Sequence, residues 1–538
     1  MIFRGLLGLL CYAVVTIQLT AAPPNQGDSA PAISPQQIQN LREQIAKQQK
    51  QIELLQKSIA GQQTLLNNAM RVMAAKQTEP ARSLANPPEL QRVSQKSGGG
   101  GDIVHSPLSF QIGDASFTPF GFVDLTYVGR STNVGSGIGT NFASIPYSSS
   151  ASGRIGENSF STQNSRIGLR VDSNIHGAKV LGYFEADFLG NQPGNVFDSS
   201  NSDTFRMRNV FADIQKGPFE FTGGQDWSLM TPGKSGISPV PSDIFYTQVM
   251  DTNYLAGLVW ARQTQVRFAY HPNTHFHAAL SLENPQQYAG GSSGGPTITF
   301  PASFASNTAI TNQFNTGSNN YSVPNSMPDI IGKIAFEGHP GGKQQHLEIA
   351  GLVRHFKYFN PLSNSGIGQT FSATGGGGSV NGNFEILKNV KLIANTFFSD
   401  GGGRYLFGMA PDLVLRANGS LSLVHSFSTL DGIEANITKN LLLYSYYSGV
   451  YTGRNSVLDA GGKYSGYGYL GSPNSQNRDV QEFTIGLTPT LWKSPQHGAL
   501  QLITQYSYMW RVPWYVAPNA PANAKTNMVW VDLRYTIP

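Results

Sequence analysis

The sequence predicts an all-β protein, a transmembrane antiparallel β-barrel of about sixteen strands preceded by an N-terminal α-helical coiled coil. Three observations support this fold class. Apolar and polar side chains alternate in many segments after about residue 116, as in strands with two different faces. The connections between these segments alternate between long and short. A seven-residue apolar repeat near the N-terminus is typical of a coiled coil.

The composition agrees with a β-rich membrane protein. Of the 538 residues, 13% are charged, against about 25% in soluble proteins. Glycine (59 residues) and tyrosine (22 residues) are abundant, as expected for many strands joined by polar loops. The net charge of +5 is mildly basic. Because no basic cluster contains interleaved aromatic residues, we predict no nucleic-acid partner.

Residues 1–22 are expected to be a secretory signal peptide. Arg4 precedes an apolar stretch, and the segment ends on the small residues Ala21 and Ala22, which is the usual pattern. The only cysteine, Cys11, falls inside it, so the mature chain is predicted to contain no disulfide. Elsewhere the sequence has no run of about 18 apolar residues, which excludes helical membrane spans.

Residues 36–80 are expected to form a coiled-coil oligomerisation segment. Two sets of residues repeat with a period of seven: Ile38, Ile45, Ile52, Ile59, Leu66 and Met73, and Leu41, Gln48, Leu55, Gln62 and Ala69. Such a narrow stripe favours pairing with sister helices over packing on a domain, and the glutamines leave the number of helices open. Residues 81–115, which include a four-glycine run, are predicted to be a flexible linker.

Residues 116–538 are predicted to form the barrel. About sixteen segments have the length that crosses a bilayer obliquely. They lie near 117–130, 163–173, 178–190, 204–216, 218–227, 256–271, 274–284, 328–338, 345–358, 380–388, 390–399, 430–438, 440–449, 479–488, 499–510 and 526–537. The connections after the first, third and fifth segments are long, those after the second and fourth are short, and this alternation continues. Outer-membrane barrels have this asymmetry.

The hairpin of residues 165–190 illustrates the two faces of the predicted wall. Ile167, Leu169 and Val171 share one face, and Arg166 and Arg170 share the other. This hairpin alone also fits a soluble sandwich. With no helices to cover so large a sheet, the apolar faces are expected to contact lipid and the polar faces to line water. Five aromatic residues near segment ends are expected at the lipid interface: Tyr444, Tyr446, Tyr506, Tyr508 and Trp510.

Several stretches resemble the DcaP-type trimeric porins of Gram-negative outer membranes. They are GFVDLTYVGR (121–130), SRIGLRVDSNIHGAKVLGYFEADFLG (165–190), FRMRNVFADI (205–214) and GGQDWSLMTP (223–232). The resemblance implies three adjacent sixteen-stranded barrels, a periplasmic coiled coil and passage of small organic anions, dicarboxylates especially. It also implies that the third long loop, about 228–255, folds into the lumen as a constriction loop. The terminal Pro538 departs from the aromatic residue with which such barrels commonly end.

The candidate pore and substrate-binding residues are cationic side chains predicted to face the lumen or its folded-in loop. They are Arg166, Arg170, Arg206, Arg208, Arg267, Arg354, Arg534 and Lys234. Arginine can bind a carboxylate through two hydrogen bonds and stays charged. Glu185, Asp187, Asp243 and Asp251 are expected to supply the opposing negative side. The alternative is that the arginines simply pair with Glu185 and Asp187 in the wall. For Arg206 and Arg208, lumen facing requires a bulge or a position at the loop end.

No catalytic residues, cofactor or metal site are predicted. His271, His275 and His277 cluster around a predicted periplasmic turn, and we expect no carboxylate or cysteine nearby, which does not favour a metal. The glycine runs 98–101 and 375–378 lack the phosphate-binding pattern and are interpreted as loops.

The function expected from the sequence is passive diffusion of small hydrophilic solutes through an outer-membrane porin that prefers organic anions. The expected partners are sister chains in a homotrimer, outer-membrane lipid and lipopolysaccharide, small organic anions and, through the periplasmic coil, peptidoglycan. The alternatives are a structural tether or adhesin, and an outer-membrane barrel hydrolase. The hydrolase is disfavoured because the ten histidines lie mostly in turns and loops.

Overall fold

The computed structural model describes residues 106–190, 203–244, 247–251, 254–291, 295–316, 327–363, 366–459 and 461–538, together with Gln39, Glu43 and Gln49. The predicted signal peptide, most of the predicted linker and all but three residues of the predicted coiled coil therefore lie outside the described residues. The chain divides into two compact units, Met1–Ser94 and Gln95–Pro538. Within the described ranges, we find no helix with the length and apolar character needed to cross a membrane.

The second unit is built almost entirely from strands. These are β1 Phe110–Ile112, β2 Ala115–Arg130, β3 Glu157–Ser161, β4 Arg166–Ile175, β5 Ala178–Asp187, β6 Arg206–Lys216, β7 Phe219–Trp227, β8 Arg262–Tyr270, β9 Phe276–Glu283, β10 Asp329–Gly338, β11 Gln345–Asn360, β12 Gln369–Leu387, β13 Val390–Asp400, β14 Leu413–Leu415, β15 Leu421–Leu423, β16 His425–Thr438, β17 Leu441–Thr452, β18 Asn455–Leu458, β19 Tyr464–Tyr467, β20 Asn477–Ser494, β21 Gly498–Pro513 and β22 Ala524–Thr536. The helices whose residues are all described are single turns at Phe142–Ser144, Pro241–Ile244, Thr308–Thr311, Pro340–Gly342 and Gly403–Tyr405.

The main sheet closes on itself. It contains eighteen strands. The short strand β1 forms a hairpin with β2. Strands β3 and β4 lie one after the other beside β2 and together fill one position in the wall. Sixteen wall positions remain among the described residues, and antiparallel pairing of β2 with β22 joins the first to the last. The predicted sixteen-stranded antiparallel barrel is confirmed. Closure leaves no long unpaired edge in the wall.

The two ends of the barrel differ as the sequence predicts. At the turn end the connections are short, and β4 and β5 are joined by His176 and Gly177, both with positive φ, as a type I′ turn requires. At the loop end the connections are long, with one exception. Pairing of β11 with β12 continues to Asn360 and Gln369, which leaves an eight-residue connection where the sequence predicted a much longer one.

The interpretation of glycines 375–378 as a loop is wrong. These residues lie within β12 and pair with β11, and 376–378 pair also with β13. A Cβ added to Gly376 would lie 2.7 Å from the Leu352 carbonyl oxygen, and one added to Gly377 would lie 2.7 Å from that of Phe398. Neighbouring backbones approach closely here, so glycine is required inside a strand. The run 98–101 lies outside the described residues.

Large apolar side chains cover the outside of the barrel. Ile167, Phe268, Val353 and Leu533 are each 40–50% exposed, whereas the polar residues that alternate with them are largely covered. Tyr506 also faces outward, as predicted. Tyr444 and Tyr446 do not: both are 1% exposed and stack on each other inside the barrel. Their position on the inward face of β17 makes the prediction of a lipid-interface role wrong for this pair.

The interior is not simply a polar wall facing water. Long connections fold inward and build a hydrophobic core with inward side chains of the strands. Leu229 and Met230 from residues 228–261, Phe142 from residues 131–156 and Tyr405 from the connection after β13 all join this cluster. Burial of such side chains is the main favourable term in folding. The strand alternation is correct, but the expectation that every inward face lines water is wrong.

Candidate functional site

The connection between β7 and β8, which we call loop 3 (228–261), crosses the inside of the barrel. Its backbone amides donate hydrogen bonds to side chains on distant strands. The Leu229 amide donates to the Glu283 carboxylate on β9 at 2.8 Å. The Gln248 amide donates to the Tyr446 hydroxyl on β17 at 2.8 Å. The Ala256 amide donates to the Glu482 carboxylate on β20, also at 2.8 Å. These acceptors surround the loop, so loop 3 narrows the interior at the level of its anchors.

Arg206 and Arg208 share one carboxylate on the neighbouring strand. Asp187 accepts two hydrogen bonds from Arg206, at 2.9 and 2.6 Å, and one from Arg208 at 2.7 Å. Arg208 also binds Glu185 at 2.7 Å. The expectation that Glu185 and Asp187 oppose the arginines across the pore is therefore wrong. Antiparallel pairing places Asp187 directly beside Arg206 in the same wall, which favours local ion pairs.

The facing of Arg206 and Arg208 depends on a bulge. The β5–β6 register shifts between Glu185 and Ala186. As a result Arg208 and Asn209 are both buried, while Met207 and Val210 on either side are exposed. An extra residue in one strand reverses the alternation of faces. This bulge reconciles the inward arginines with the outward Val210, Ala212 and Ile214.

Arg166, Arg170 and Arg534 also have carboxylate partners. Arg166 forms an ion pair with Asp251 of loop 3 and lies 3.7 Å from Glu185. Arg170 binds Asp172 through two 2.8 Å hydrogen bonds.

Arg534 binds Asp124 in the same bidentate way, at 2.8 and 2.7 Å, and donates to the Met250 carbonyl at 2.9 Å. Its guanidinium also lies over the Phe122 ring, 4.1 Å from the centroid. Loop 3 is thus held against the wall by Arg166 and Arg534.

Arg267 and Arg354 face inward but do not reach the open interior. Their side chains are 2% and 0% exposed. Arg267 donates to the Trp227 carbonyl at 2.7 Å, under loop 3. Arg354 is enclosed by Asp329 at 3.1 Å and by Asp412 at 2.8 Å, the latter from the connection after β13. The prediction that these two arginines contact solute is wrong, because folded-in connections cover them.

Two predicted charged residues on loop 3 form hydrogen bonds within the loop itself. Lys234 Nζ donates to the Ser242 carbonyl at 2.7 Å, and burial lowers the pKa of its ammonium group. Asp243 accepts from the Ser238 hydroxyl at 2.9 Å, and its carbonyl accepts from the Lys234 amide at 2.8 Å. Asp243 makes no direct contact with an arginine within the described ranges, so its role as an opposing negative charge stays a prediction. Asp251 forms a direct ion pair with Arg166 and does not face it across the pore.

Accessibility separates the predicted arginines into two groups. The side chains of Arg206, Arg170, Arg166 and Arg534 are 34%, 25%, 18% and 15% exposed. Arg208 is 1% exposed and belongs with Arg267 and Arg354. Only the first four can be reached by a solute without rearrangement, so they are the arginines of the candidate site.

Arg262 is not among the pore residues predicted from the sequence. This residue lines a cavity of about 900 Å³ together with Arg206, Trp260 and Tyr254. Its parity on β8 matches the outward Val266 and Phe268, which is why alternation excluded it. In the structure it is the first residue of β8, and its guanidinium lies 5.2 Å from the Trp227 ring centroid. Trp227 and Trp260, which pack beside it, lie far apart in the chain, so alternation along one strand could not place Arg262 next to them.

The histidines have carboxylates close by in space. His271 Nε2 lies 3.4 Å from Glu220, and His271 and His277 are joined through their Nδ1 atoms at 2.8 Å. The expectation that no carboxylate is near is wrong, because Glu220 on the adjacent strand β7 and His271 meet across the sheet. Even so, no group of three histidine, cysteine or carboxylate residues in the described part of the chain is arranged to hold a metal ion.

Comparison with solved structures finds outer-membrane proteins that are similar to this chain. The outer membrane channel DcaP of Acinetobacter baumannii aligns with a TM-score of 0.57 and 17% identity, covering 80% of this chain and 99% of that chain. An anion-selective porin from Comamonas acidovorans aligns at 0.43 and 11%, covering 79% and 100%. Salmonella typhi OmpF in complex with daunomycin aligns at 0.43 and 11%, covering 80% and 100%.

In sequence, no protein-family model and no curated protein matches the chain. The resemblance therefore stands on structure. The chain is similar to the DcaP channel over nearly the whole length of that protein, and it shares the fold of a sixteen-stranded DcaP-like porin barrel.

Proposed function

We propose that the protein is an outer-membrane porin of Gram-negative type that lets small hydrophilic solutes diffuse passively and prefers organic anions such as dicarboxylates. The observation that carries the proposal is a closed barrel, apolar outside, whose narrowed interior exposes four arginines beside loop 3. Charged residues at a constriction select ions by sign. The protein is thus a channel and not an enzyme.

The proposed assembly is a homotrimer in outer-membrane lipid and lipopolysaccharide. The support is the seven-residue repeat of residues 36–80, which favours association of sister helices, and the DcaP-type resemblance of the barrel. With the N-terminus of β2 at the turn end, the coil belongs in the periplasm, where peptidoglycan is a candidate partner.

A reversal-potential measurement tests the proposed selectivity. Purified protein in planar bilayers under a potassium succinate gradient is expected to show stepwise conductance and a potential displaced towards anion permeability. Arg166→Ala and Arg170→Ala should each reduce that displacement, because each removes an accessible positive charge.

Arg154 provides the control, because it lies in an exposed loop and donates to the Ser148 carbonyl at 2.8 Å. Arg154→Ala should leave the reversal potential unchanged. Absence of stepwise conductance would refute the porin, and cation preference in the unmodified protein would refute the anion selectivity alone.

A further inference from the structure

Of the three arginines that line the cavity of about 900 Å³, Arg262 lacks the carboxylate partner that Arg206 and Arg208 have within the described ranges. No ion pair of Arg262 is found within the described ranges, and its Nη1 atom is buried without a hydrogen-bond partner there. The charges that act on its guanidinium are those of the cations Arg208, Arg206 and Arg166 and of the Asp187 carboxylate. Asp187 already accepts from both Arg206 and Arg208. Arg262 therefore keeps an uncompensated positive charge, which is costly unless an anion reaches it.

A second unpartnered donor lies next to it. Trp260 is 9% exposed, and its Nε1 atom has no hydrogen-bond partner in the described part of the chain. Buried tryptophan N–H groups usually have a partner. Both Trp260 and Arg262 line the cavity of about 900 Å³, which is large enough for a small organic molecule.

Aromatic rings form a continuous surface beside these donors. Trp227 and Trp260 meet edge to face with centroids 5.2 Å apart, and Trp260 stacks on Phe407 at 4.7 Å. All three residues line the same cavity. Such a surface offers a planar ring the offset or edge contacts that aromatic groups prefer.

We propose that Arg262 and Trp260 form an anion-binding subsite for an aromatic monocarboxylate. The carboxylate accepts from the Arg262 guanidinium and the Trp260 indole N–H, and the ring of the solute packs against the aromatic surface. The single uncompensated charge matches one carboxylate rather than two, because Glu185 and Asp187 already neutralise Arg206 and Arg208. The subsite rests on the proposed porin function for its access and deepens it by naming a solute class.

Equilibrium dialysis of benzoate with the full chain in detergent tests the subsite directly. The Arg262→Gln variant should bind benzoate about tenfold more weakly, since a hydrogen bond to a charged group is lost. Trp260→Phe keeps a ring and removes the N–H, and should weaken binding by a smaller factor. Cyclohexanecarboxylate, with the same charge and no aromatic ring, should bind more weakly than benzoate to the unmodified protein.

Arg154→Gln is the matched control, because it removes the same charge from an exposed loop outside the cavity. It should bind benzoate like the unmodified protein. Heat-modifiable migration on gels establishes that each variant forms its barrel. Equal benzoate affinity of folded Arg262→Gln and unmodified protein would overturn the subsite, as would equal affinity for the two carboxylates.

Bilayer recordings separate this inference from the function on which it rests. If the protein conducts and Arg262→Gln binds benzoate like the unmodified protein, the porin function is supported and the subsite is refuted. If benzoate binding depends on Arg262 and no stepwise conductance occurs, the subsite is supported and the porin function is refuted.

Discussion

At the scale of single residues, the charge that a solute meets depends on which arginines are already neutralised. Asp187 is fully buried and accepts from two arginines at once. Arg206 remains 34% exposed despite this pairing, whereas Arg208 is covered. Because pairing and accessibility differ between neighbours on one strand, a count of arginines overstates the positive charge of the pathway.

Replacing Asp187 should make the channel more anion-selective. Asp187→Asn removes the negative charge shared by Arg206 and Arg208. The positive charge of the two arginines is then no longer neutralised and attracts permeating anions. The measurement is the reversal potential in a KCl gradient. Asp459→Asn, which removes a carboxylate from the distant connection 453–476, should leave it unchanged. An unaltered potential in Asp187→Asn would show that this cluster lies outside the ion path.

Arg354 should matter for stability. Its guanidinium lies between the buried carboxylates of Asp329 and Asp412. Burial raises the pKa of Asp412, and Arg354 opposes that rise. Arg354→Ala leaves two buried carboxylates without their main partner and should lower the free energy of unfolding by about 3–5 kcal/mol, measured by urea denaturation in detergent.

The control is Arg478→Ala, which breaks the pair of a 45% exposed arginine with Asp479 and should cost about 0–1 kcal/mol. Equal losses of unfolding free energy in the two variants would contradict the buried ion-pair network of Arg354, Asp329 and Asp412.

At the scale of elements, loop 3 is held by carboxylates that project from β10 and β11. Glu348 accepts from the Gly233 amide at 3.3 Å, from Lys333 at 3.1 Å and from Asn381 at 2.9 Å. Glu337 accepts from the Gly236 amide at 2.6 Å. A loop that crosses a barrel has few backbone partners of its own, so these side chains satisfy amides that would otherwise be buried and unpaired.

Glu348→Gln should loosen loop 3. The substitution removes the ionic partner of buried Lys333 and weakens the acceptor for Gly233, and should destabilise the protein by about 3–5 kcal/mol. Single-channel recordings should show larger or noisier conductance as the loop departs from the wall.

Glu385→Gln changes a partly exposed residue at the turn end of β12, whose carboxylate accepts from the Gln344 and Asn389 amides and not from loop 3. This control should leave the conductance as it is. Unchanged conductance in Glu348→Gln would mean that loop 3 does not limit the pathway.

At the scale of the whole molecule, we expect the barrel and the predicted coil to have separable roles. The sixteen wall positions lie within residues 115–536, and pairing of β2 with β22 closes them. Deleting residues 36–80 should therefore leave single-channel conductance largely intact, as seen in bilayer recordings.

The same deletion should reduce the trimer fraction or its attachment to peptidoglycan, measured by native gels and by sedimentation with isolated peptidoglycan. Loss of channels from a deletion variant that still reaches the membrane would contradict a purely assembling or tethering coil.

The sequence by itself determined the barrel, because a strand with lipid on one side and protein or water on the other must alternate, and each hairpin repeats that constraint. Alternation also placed Arg166, Arg170 and Arg534 on the inward face. Tertiary structure decided what those faces contact. The β6 bulge, the packing of loop 3 and the covering of Arg354 depend on residues far apart in the chain. Periodicity describes one strand at a time, so Arg262 and the buried arginines could be distinguished only once distant segments were brought together.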